Sequence, residues 1–215
     1  RVSLADYEFA DLIDQQDKVR LLIDPTSSYA QAAAMAMGRA MDDVIIAAAT
    51  GTAYTGETGA TSESAQTAIA ASVGTGTGLN LVKLTTAKRL LDDADVDPSI
   101  PRHIIVGPEQ LQNLLAVEQV TSSDYNTIKA LVQGEIDSFL GFKFTVSNRL
   151  AKSSNDRTCI AYAEDGICLG IGKDISARID ERADKSYATQ VYYCQSIGAT
   201  RMEQAKVVPM TCTEA

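Results

Sequence analysis

The longest regular pattern of hydrophobic positions lies in residues 28–50 and predicts one long helix. Alanine and methionine dominate its interior, and both are strong helix formers. Thr26, Ser27 or Ser28 can cap its amino end. One stripe recurs at helical spacing: Tyr29, Ala33, Met37, Ala40, Val44 and Ala47. A helix of this length spans about 35 Å and is either an ordinary core helix or a structural spine.

The residues ahead of this helix predict a second, amphipathic one over residues 3–16. Ser3 can serve as its N-cap. Its apolar face carries Phe9, Leu12 and Ile13. The apolar run 18–23 fits either a strand or a helix, and Asp24-Pro25 then interrupts the regular backbone.

Glycine, threonine, serine and alanine dominate residues 51–78. Such a segment can bury little apolar area, so it predicts a long surface loop or hairpin. The Gly-Thr-Gly-Thr-Gly run at 74–78 is a candidate phosphate-binding loop. It lacks the required context, because no predicted strand leads into it, no Gly-Lys-Ser/Thr follows it, and its spacing is not Gly-x-Gly-x-x-Gly. We therefore predict no phosphate site there.

The next segment combines helical and strand patterns. Asn80 can cap a helix over residues 80–94. The apolar side of that helix carries Leu81, Leu84, Ala87, Leu91 and Ala94. Residues 103–106 have the composition of a short strand, and Gly107-Pro108 turns this strand into another helix. A strand followed closely by a helix is typical of an α/β layer.

Further helix and strand patterns follow. A helix is predicted over about 121–136, where apolar residues recur at helical spacing. A half-buried strand follows, because alternate residues are apolar: Phe142, Phe144 and Val146. The polar stretch 149–157 predicts a loop.

The remainder of the chain predicts mostly strands. Apolar or alternating runs cover 159–163, 187–197 and 202–210. One face of the middle run carries Tyr187, Thr189, Val191, Tyr193 and Ile197. Asp165-Gly166 fits either a hairpin turn or a short helical turn. Pro209 indicates a sheet edge or a strand end.

Charge and cysteine content narrow the function. The chain has 19 Lys and Arg, 28 Asp and Glu, and a net charge of −9, which argues against a dedicated nucleic-acid binder. None of its four cysteines lies in a Cys-x-x-Cys pair, so buried thiols are favoured over a zinc site. No apolar stretch is long enough to span a membrane. The chain begins at Arg1, and we expect that an amino-terminal part was removed by processing or that the sequence is a fragment.

Catalytic signals are absent from the sequence. There is no Gly-x-Ser-x-Gly elbow, and His103 is the one histidine that could act as a general base. The acidic clusters Asp42-Asp43 and Asp92-Asp93-Ala94-Asp95 could bind a divalent cation, but solvated helix ends are the favoured interpretation. We therefore predict no catalytic, cofactor-binding or metal-binding residue and no cofactor.

Four stretches carry a resemblance to a known family. The chain resembles the tailed-bacteriophage major capsid proteins, whose fold is named after phage Hong Kong ninety-seven, and in particular those of a short-tailed phage lineage. The stretches are LLIDPTSSYAQAAAMAMGRAMDDVIIAAATGTAYTGETGAT (21–61), VTSSDYNTIKALVQGEIDSFLGFKFTVSNRL (120–150), CIAYAEDGICLGIG (159–172) and IDERADKSYATQVYYCQSIGATRMEQAKVV (179–208).

The resemblance implies an α+β fold with a peripheral and an axial domain. Residues 1–64 and 146–215 would form the peripheral domain, with the spine helix at 28–50 and long terminal strands. Residues 65–145 would form the axial domain, which meets its copies at capsomer centres. The family's amino-terminal arm and most of its extended loop have no counterpart in the chain, which begins at Arg1.

The resemblance also implies a structural function without enzymatic activity. Copies of the chain would form pentamers and hexamers of an icosahedral head in the virion, assembled in the bacterial host cytoplasm. Scaffolding, portal and decoration proteins are further expected partners, and the shell would enclose double-stranded DNA without sequence-specific binding and without a membrane. Two alternatives stay open: an encapsulin-like, non-viral nanocompartment shell and, less favoured, a small-ligand-binding α/β protein.

Overall fold

The predicted long helix is present as α1, Thr26–Thr50. The computed structural model describes residues 1–14, 26–74, 76–116 and 138–214. Within α1, the buried side chains are Ala33, Met37, Ile46 and Ala49. Tyr29 and Ala47 of the predicted stripe are exposed. Residues up to Ile45 belong to one compact unit and residues from Ile46 to another, so no single stripe is buried along the whole helix.

The unit that contains Val2–Ile45 and Leu169–Ala199 is built on a three-stranded sheet. Its strands are β1 (Ala5–Ile13), β9 (Ile167–Arg182) and β10 (Ala188–Arg201), in the order β1-β10-β9. β1 runs antiparallel to β10, from the pair Ala5↔Ile197 to the pair Ile13↔Thr189.

The prediction of a helix over 3–16 is wrong, because these residues form β1. The odd-numbered residues from Tyr7 to Ile13 are partly or fully buried and the even-numbered ones between them are exposed, which is the two-residue period of a strand. Phe9, Leu12 and Ile13 also fit a helical period, and Leu12 is 44% exposed. Pairing with β10 therefore decides the conformation of this segment, as tertiary context often does.

The alternation predicted for 187–197 is largely confirmed in β10. Thr189, Val191 and Ile197 are buried on one face. Gln195 lies on the same face, and its Nε2 donates a hydrogen bond to the Met37 carbonyl of α1 at 3.1 Å. Tyr187 differs from the prediction, since it lies ahead of β10 and is 61% exposed.

The other unit comprises Arg1, Ile46–Cys168 and Thr200–Ala215 and contains a six-stranded sheet. Five of its strands follow the order β11-β8-β4-β6-β5, and β7 pairs with β8. β4 and β6 run parallel, whereas the other pairs are antiparallel. The strand bounds are β4 Arg102–Val106, β5 Ser138–Phe139, β6 Phe142–Val146, β7 Lys152–Ser153, β8 Asp156–Ala163 and β11 Val207–Thr213.

Two helices and a hairpin complete this unit as described. α2 (Leu81–Asp93) has Asn80 as its N-cap and buries Leu84, Ala87 and Leu91, as predicted. The predicted turn at Gly107-Pro108 leads from β4 into α3 (Pro108–Leu115). The Gly/Thr-rich segment contains the hairpin of β2 (Ala53–Thr55) and β3 (Thr61–Glu63).

Smaller predictions had mixed outcomes. Phe142 and Phe144 are buried, but Val146, the last residue of β6, is 47% exposed. Glu164–Gly166 forms the short helical turn rather than a hairpin turn, because β8 and β9 belong to different sheets. The predicted loop 149–157 contains β7 and the start of β8. Pro209 lies in β11, an edge of the sheet order. The predictions for 18–23, Asp24-Pro25 and 121–136 fall outside the described residues.

We predict that Ala33→Leu lowers the free energy of unfolding by about 1–3 kcal/mol, because Ala33 is fully buried and a larger side chain overpacks its site. Ala34→Leu on the same helix is the control, since Ala34 is exposed. Ala40 is half-buried, so Ala40→Leu should fall between the two. Denaturant unfolding measures all three, and equal midpoints for Ala33→Leu and Ala34→Leu would contradict the packing of α1.

Candidate functional site

The residues that the sequence singled out for chemistry are not brought together. His103 stacks on Tyr162, with ring centroids 5.5 Å apart. Asp92 forms an ion pair with Arg102 at 2.7 Å, and Asp93 with Arg89 at 3.0 Å. Among the described residues, no group of three or more His, Cys, Asp and Glu side chains could hold a metal ion. No helix of the described chain is long and apolar enough to span a membrane.

A cleft follows the carboxyl end of α2. Its lining includes Lys88, Asp92, Asp97 and Arg102. Two of its three carboxylates have partners, because Asp92 pairs with Arg102 and Asp97 accepts a hydrogen bond from the Ser99 amide at 2.8 Å. That bond holds the pKa of Asp97 below its usual range. Asp92 and Asp97 are therefore already engaged by other groups of the chain.

The ammonium group of Lys83 lies inside the larger unit and is completely buried. It donates hydrogen bonds to the carbonyls of Thr77 (2.8 Å), Gly78 (2.8 Å) and Thr211 (3.0 Å). Lys83 lies on α2, Thr211 on β11, and the other two carbonyls precede α2. Burial lowers the pKa of Lys83, and the three carbonyls compensate for the water that the ammonium loses.

The Lys83 contacts also show how the glycine-rich run at 74–78 is used: its carbonyl groups bind a buried cation of the same chain. Carbonyl oxygens of this segment point at a cation, whereas a phosphate-binding loop must direct backbone N–H groups at its ligand. The Asn80 side chain holds the same segment by donating to the carbonyls of Val73 (2.9 Å) and Gly76 (3.4 Å). Gly74 has a φ of 88°, and an added Cβ would lie 2.7 Å from the Asn80 Nδ2. Its lack of a side chain permits this close approach.

A second buried cation, Arg201, caps the carboxyl end of α1. Its guanidinium donates to the carbonyls of Ala49 (3.1 Å), Gly51 (2.8 Å) and Glu63 (3.1 Å). The last carbonyls of a helix have no partner within the helix, and a cation there is also favoured by the helix dipole. Arg201 thus joins the end of α1 to the β2–β3 hairpin.

The buried carboxylate of Glu214 also joins separate segments of the chain. The contacts of Lys83, Arg201 and Glu214 are called the three clamps below. Glu214 accepts hydrogen bonds from Arg157, Lys152 and Gln110, and it is 6% exposed. These donors lower the pKa of Glu214 to about 2, with Arg157 contributing most. The clamp ties the segment after β11 to β7, β8 and α3.

Sequence reasoning missed all three clamps. For Lys83 a signal existed, because it lies beside Leu84 and Ala87 on the buried side of α2. A lysine within an apolar stripe indicates a buried, partnered charge. For Arg201 and Glu214 the local sequence gives no comparable signal.

The smaller unit presents an exposed apolar surface. Ile171, Ile175 and Ile179 of β9 are 52%, 38% and 50% exposed. Their spacing of four residues places them on one face of a regular strand. β9 also ends the strand order of its sheet, so one of its edges has no strand partner among the described residues. Open edges and apolar patches are typical of surfaces that bind other chains.

The sequence profile of a family described as phage capsid protein matches residues 1–214. The chain belongs to this family. No curated protein sequence matches the chain at a significant level.

Solved phage structures share the capsid protein's fold. A chain of Mycobacterium phage Che8 is 21% identical, with a TM-score of 0.67 over 96% of this chain and 70% of that one. The cyanophage Pam1 capsid asymmetric unit gives 15% identity and a TM-score of 0.75 over 100% and 76%. The capsid of cyanophage P-SCSP1u gives 14% identity and a TM-score of 0.74 over 100% of this chain and 74% of that one. These likenesses confirm the expected Hong Kong ninety-seven-type α+β fold.

Family membership confirms the expected function in its main part. The chain is a major capsid subunit and is located in the virion capsid. It is accordingly a structural protein. The described contacts match such a function, because the charged side chains at the centre of each clamp bind other parts of the same chain.

We predict that Lys83→Met lowers the free energy of unfolding of the capsid protein by about 1–3 kcal/mol, because it leaves three buried carbonyls without a donor. Lys143→Met on the exposed side of β6 is the control. Denaturant unfolding measures both variants. Equal effects would show that the Lys83 hydrogen bonds contribute nothing to stability.

We also predict a pH dependence from Glu214. A carboxyl whose folded pKa is depressed contributes stability above its unfolded pKa and loses it as pH falls through the folded pKa. With a folded pKa of about 2 and an ordinary value of 4.5, the loss falls between these values.

The Glu214→Gln variant should therefore be less stable than the unmodified chain at pH 5, and the difference in stability between the two should become smaller as the pH falls to 2. Glu203→Gln is the control, because Glu203 forms an exposed ion pair with Lys206. Thermal unfolding across this range provides the measurement. A stability difference that is constant with pH for Glu214→Gln would contradict the clamp.

Proposed function

We propose that copies of this subunit form pentamers and hexamers that close an icosahedral head around double-stranded DNA. The family match over residues 1–214 carries the proposal. Further support comes from a structure described as the capsid of an empty GTA particle computed with C5 symmetry. Its chain is 13% identical, with a TM-score of 0.69 over 99% of this chain and 74% of that one. A ring of five is a closed symmetric assembly, which head-to-tail contacts between identical subunits form when the rotation between neighbours closes.

The net charge of −9 supports enclosure of DNA without sequence-specific binding. A chain with this balance repels phosphate on average, so packaged DNA would not be held by base contacts. Scaffolding, portal and decoration proteins complete the proposed set of partners. The subunit itself acts through contact and catalyses no reaction in this proposal.

The proposed domain assignment follows the family resemblance. Residues 1–64 and 146–215 form the peripheral domain with the long helix, and residues 65–145 form the axial domain. Support for the first part is that β10 is hydrogen-bonded to α1 through Gln195. The axial part would bring its copies together at the centre of each ring.

The apolar row on β9 is the proposed assembly surface of the smaller unit. Twelve of the sixteen residues of β9 are exposed in one copy of the chain. Covering Ile171, Ile175 and Ile179 with a neighbouring copy would remove apolar area from water, which favours association.

Electron microscopy of the purified full-length protein tests the proposed function. Closed icosahedral shells with rings of five and six are expected. A monodisperse monomer at high concentration would overturn the proposal. Shells that carry a cargo enzyme in place of DNA would instead favour the nanocompartment alternative.

We predict that replacing Ile171, Ile175 and Ile179 together by threonine abolishes or strongly reduces shell formation, because threonine keeps the strand propensity but adds a polar group. Replacing the same three residues by valine is the matched control, since valine keeps both the branching and the apolar surface. Shell yield is measured by sedimentation, and circular dichroism checks the fold of both variants. Equal shell yields would exclude this row from the assembly surface.

A further inference from the structure

The apolar row of β9 is symmetric about its middle residue. Ile171 and Ile179 lie four residues on either side of Ile175, and all three side chains are exposed. When a second β9 lies antiparallel beside the first with Ile175 opposite its own counterpart, Ile171 of each strand lies opposite Ile179 of the other. The row therefore pairs with itself over its whole length.

The charges of β9 suit the same pairing. The strand carries three basic and three acidic residues, namely Lys173, Arg178, Arg182, Asp174, Asp180 and Glu181. In the pairing about Ile175 each of them lies directly opposite an uncharged residue, so no like charges oppose each other.

The pairing also brings opposite charges together. Asp174 of one strand becomes a diagonal neighbour of Arg178 of the other, at a separation that a long side chain can reach. Both side chains are exposed in one copy. Asp174 accepts a hydrogen bond from the adjacent Ile175 amide at 2.8 Å, and among the described residues neither side chain forms an ion pair. Two symmetric ion pairs can therefore form across the contact.

Of the two edge strands of this sheet, β9 is the one suited to a second copy. The strand order is β1-β10-β9, and an edge strand directs part of its N–H and C=O groups away from its own sheet. The charged residues of β1 are Asp6, Glu8 and Asp11, all acidic. Two β1 strands would bring only like charges together, whereas two β9 strands bring opposite ones together.

We infer that β9 pairs antiparallel with β9 of a second copy about a two-fold axis at Ile175, which joins two three-stranded sheets into one continuous sheet. The inference rests on the proposed function, because it specifies which strand of the neighbouring copy covers the apolar row. A two-fold contact joins copies in pairs, whereas head-to-tail contacts close rings. The β9 contact therefore links copies that belong to neighbouring rings.

Cysteine substitutions in the purified full-length protein test the pairing. They are made together with Cys168→Ser, because Cys168 is an exposed native cysteine. After mild oxidation Ile175→Cys should give a covalent dimer, since directly opposite Cα atoms lie about 4.5 or 5.5 Å apart and a disulfide needs about 4.4–6.8 Å. Ile171→Cys and Ile179→Cys are the matched controls and should each stay monomeric. The two changes in one chain should again give dimers.

Non-reducing electrophoresis measures the dimer yield. Absence of a dimer from Ile175→Cys would overturn the inference. Equal yields from the three single variants would indicate random collision and would also overturn it. Electron microscopy of the same reduced protein separates the two proposals: shells without the dimer overturn the β9 pairing alone, and the dimer without shells overturns the closed head alone.

Charge reversal tests the register independently. Arg178→Asp should reduce the dimer yield of Ile175→Cys, because it places a carboxylate diagonal to Asp174 of the other copy, and adding Asp174→Arg should restore the yield. Lys185→Asp, the same change of charge in the turn after β9, is the control and should leave the yield unchanged. Failure of Asp174→Arg to restore the dimer would overturn the register about Ile175.

Discussion

The larger unit depends on burying cations against backbone carbonyls. Its sheet and α2 supply an apolar core, but a sheet alone does not position the irregular segments beside it. Lys83 fixes the segment before α2 against β11, and Arg201 fixes the end of α1 against β3. Carbonyls that lose water must find donors, and one ammonium or guanidinium can satisfy several at once. The glycine-rich segment is therefore held by polar contacts rather than by apolar burial.

The smaller unit follows a different principle. Its strands are long and β9 is largely exposed, so burial within one copy supplies little of the free energy that would hold that strand. Such a strand is compatible with a stable structural subunit when other copies cover it, because assembly then removes its apolar area from water. The exposure of Ile171, Ile175 and Ile179 agrees with this interpretation, in which contacts within one copy stabilise the core and contacts between copies stabilise β9.

Local regularity determined how far the sequence could predict the fold. The alanine-rich composition of α1, the Asn80 cap of α2 and the Gly107-Pro108 turn each specify their own element, and all three predictions held. β1 was predicted as a helix, because Phe9, Leu12 and Ile13 fit both periods and the deciding partners lie in β10, at the other end of the sequence. The clamps of Arg201 and Glu214 were missed for the same reason, since their partners lie 152 and 57 positions away.

The clamps also change the charge that the surface presents. Three of the four buried ionisable side chains among the described residues that carry charge at neutral pH are basic, namely Lys83, Arg102 and Arg201, and one is acidic, Glu214. Burying more positive than negative groups leaves a surface that is more acidic than the composition alone indicates. A capsid subunit gains from this arrangement, because the same cations that fix its interior are kept away from DNA phosphate. Internal stability and weak attraction to DNA thus follow from one distribution of charge.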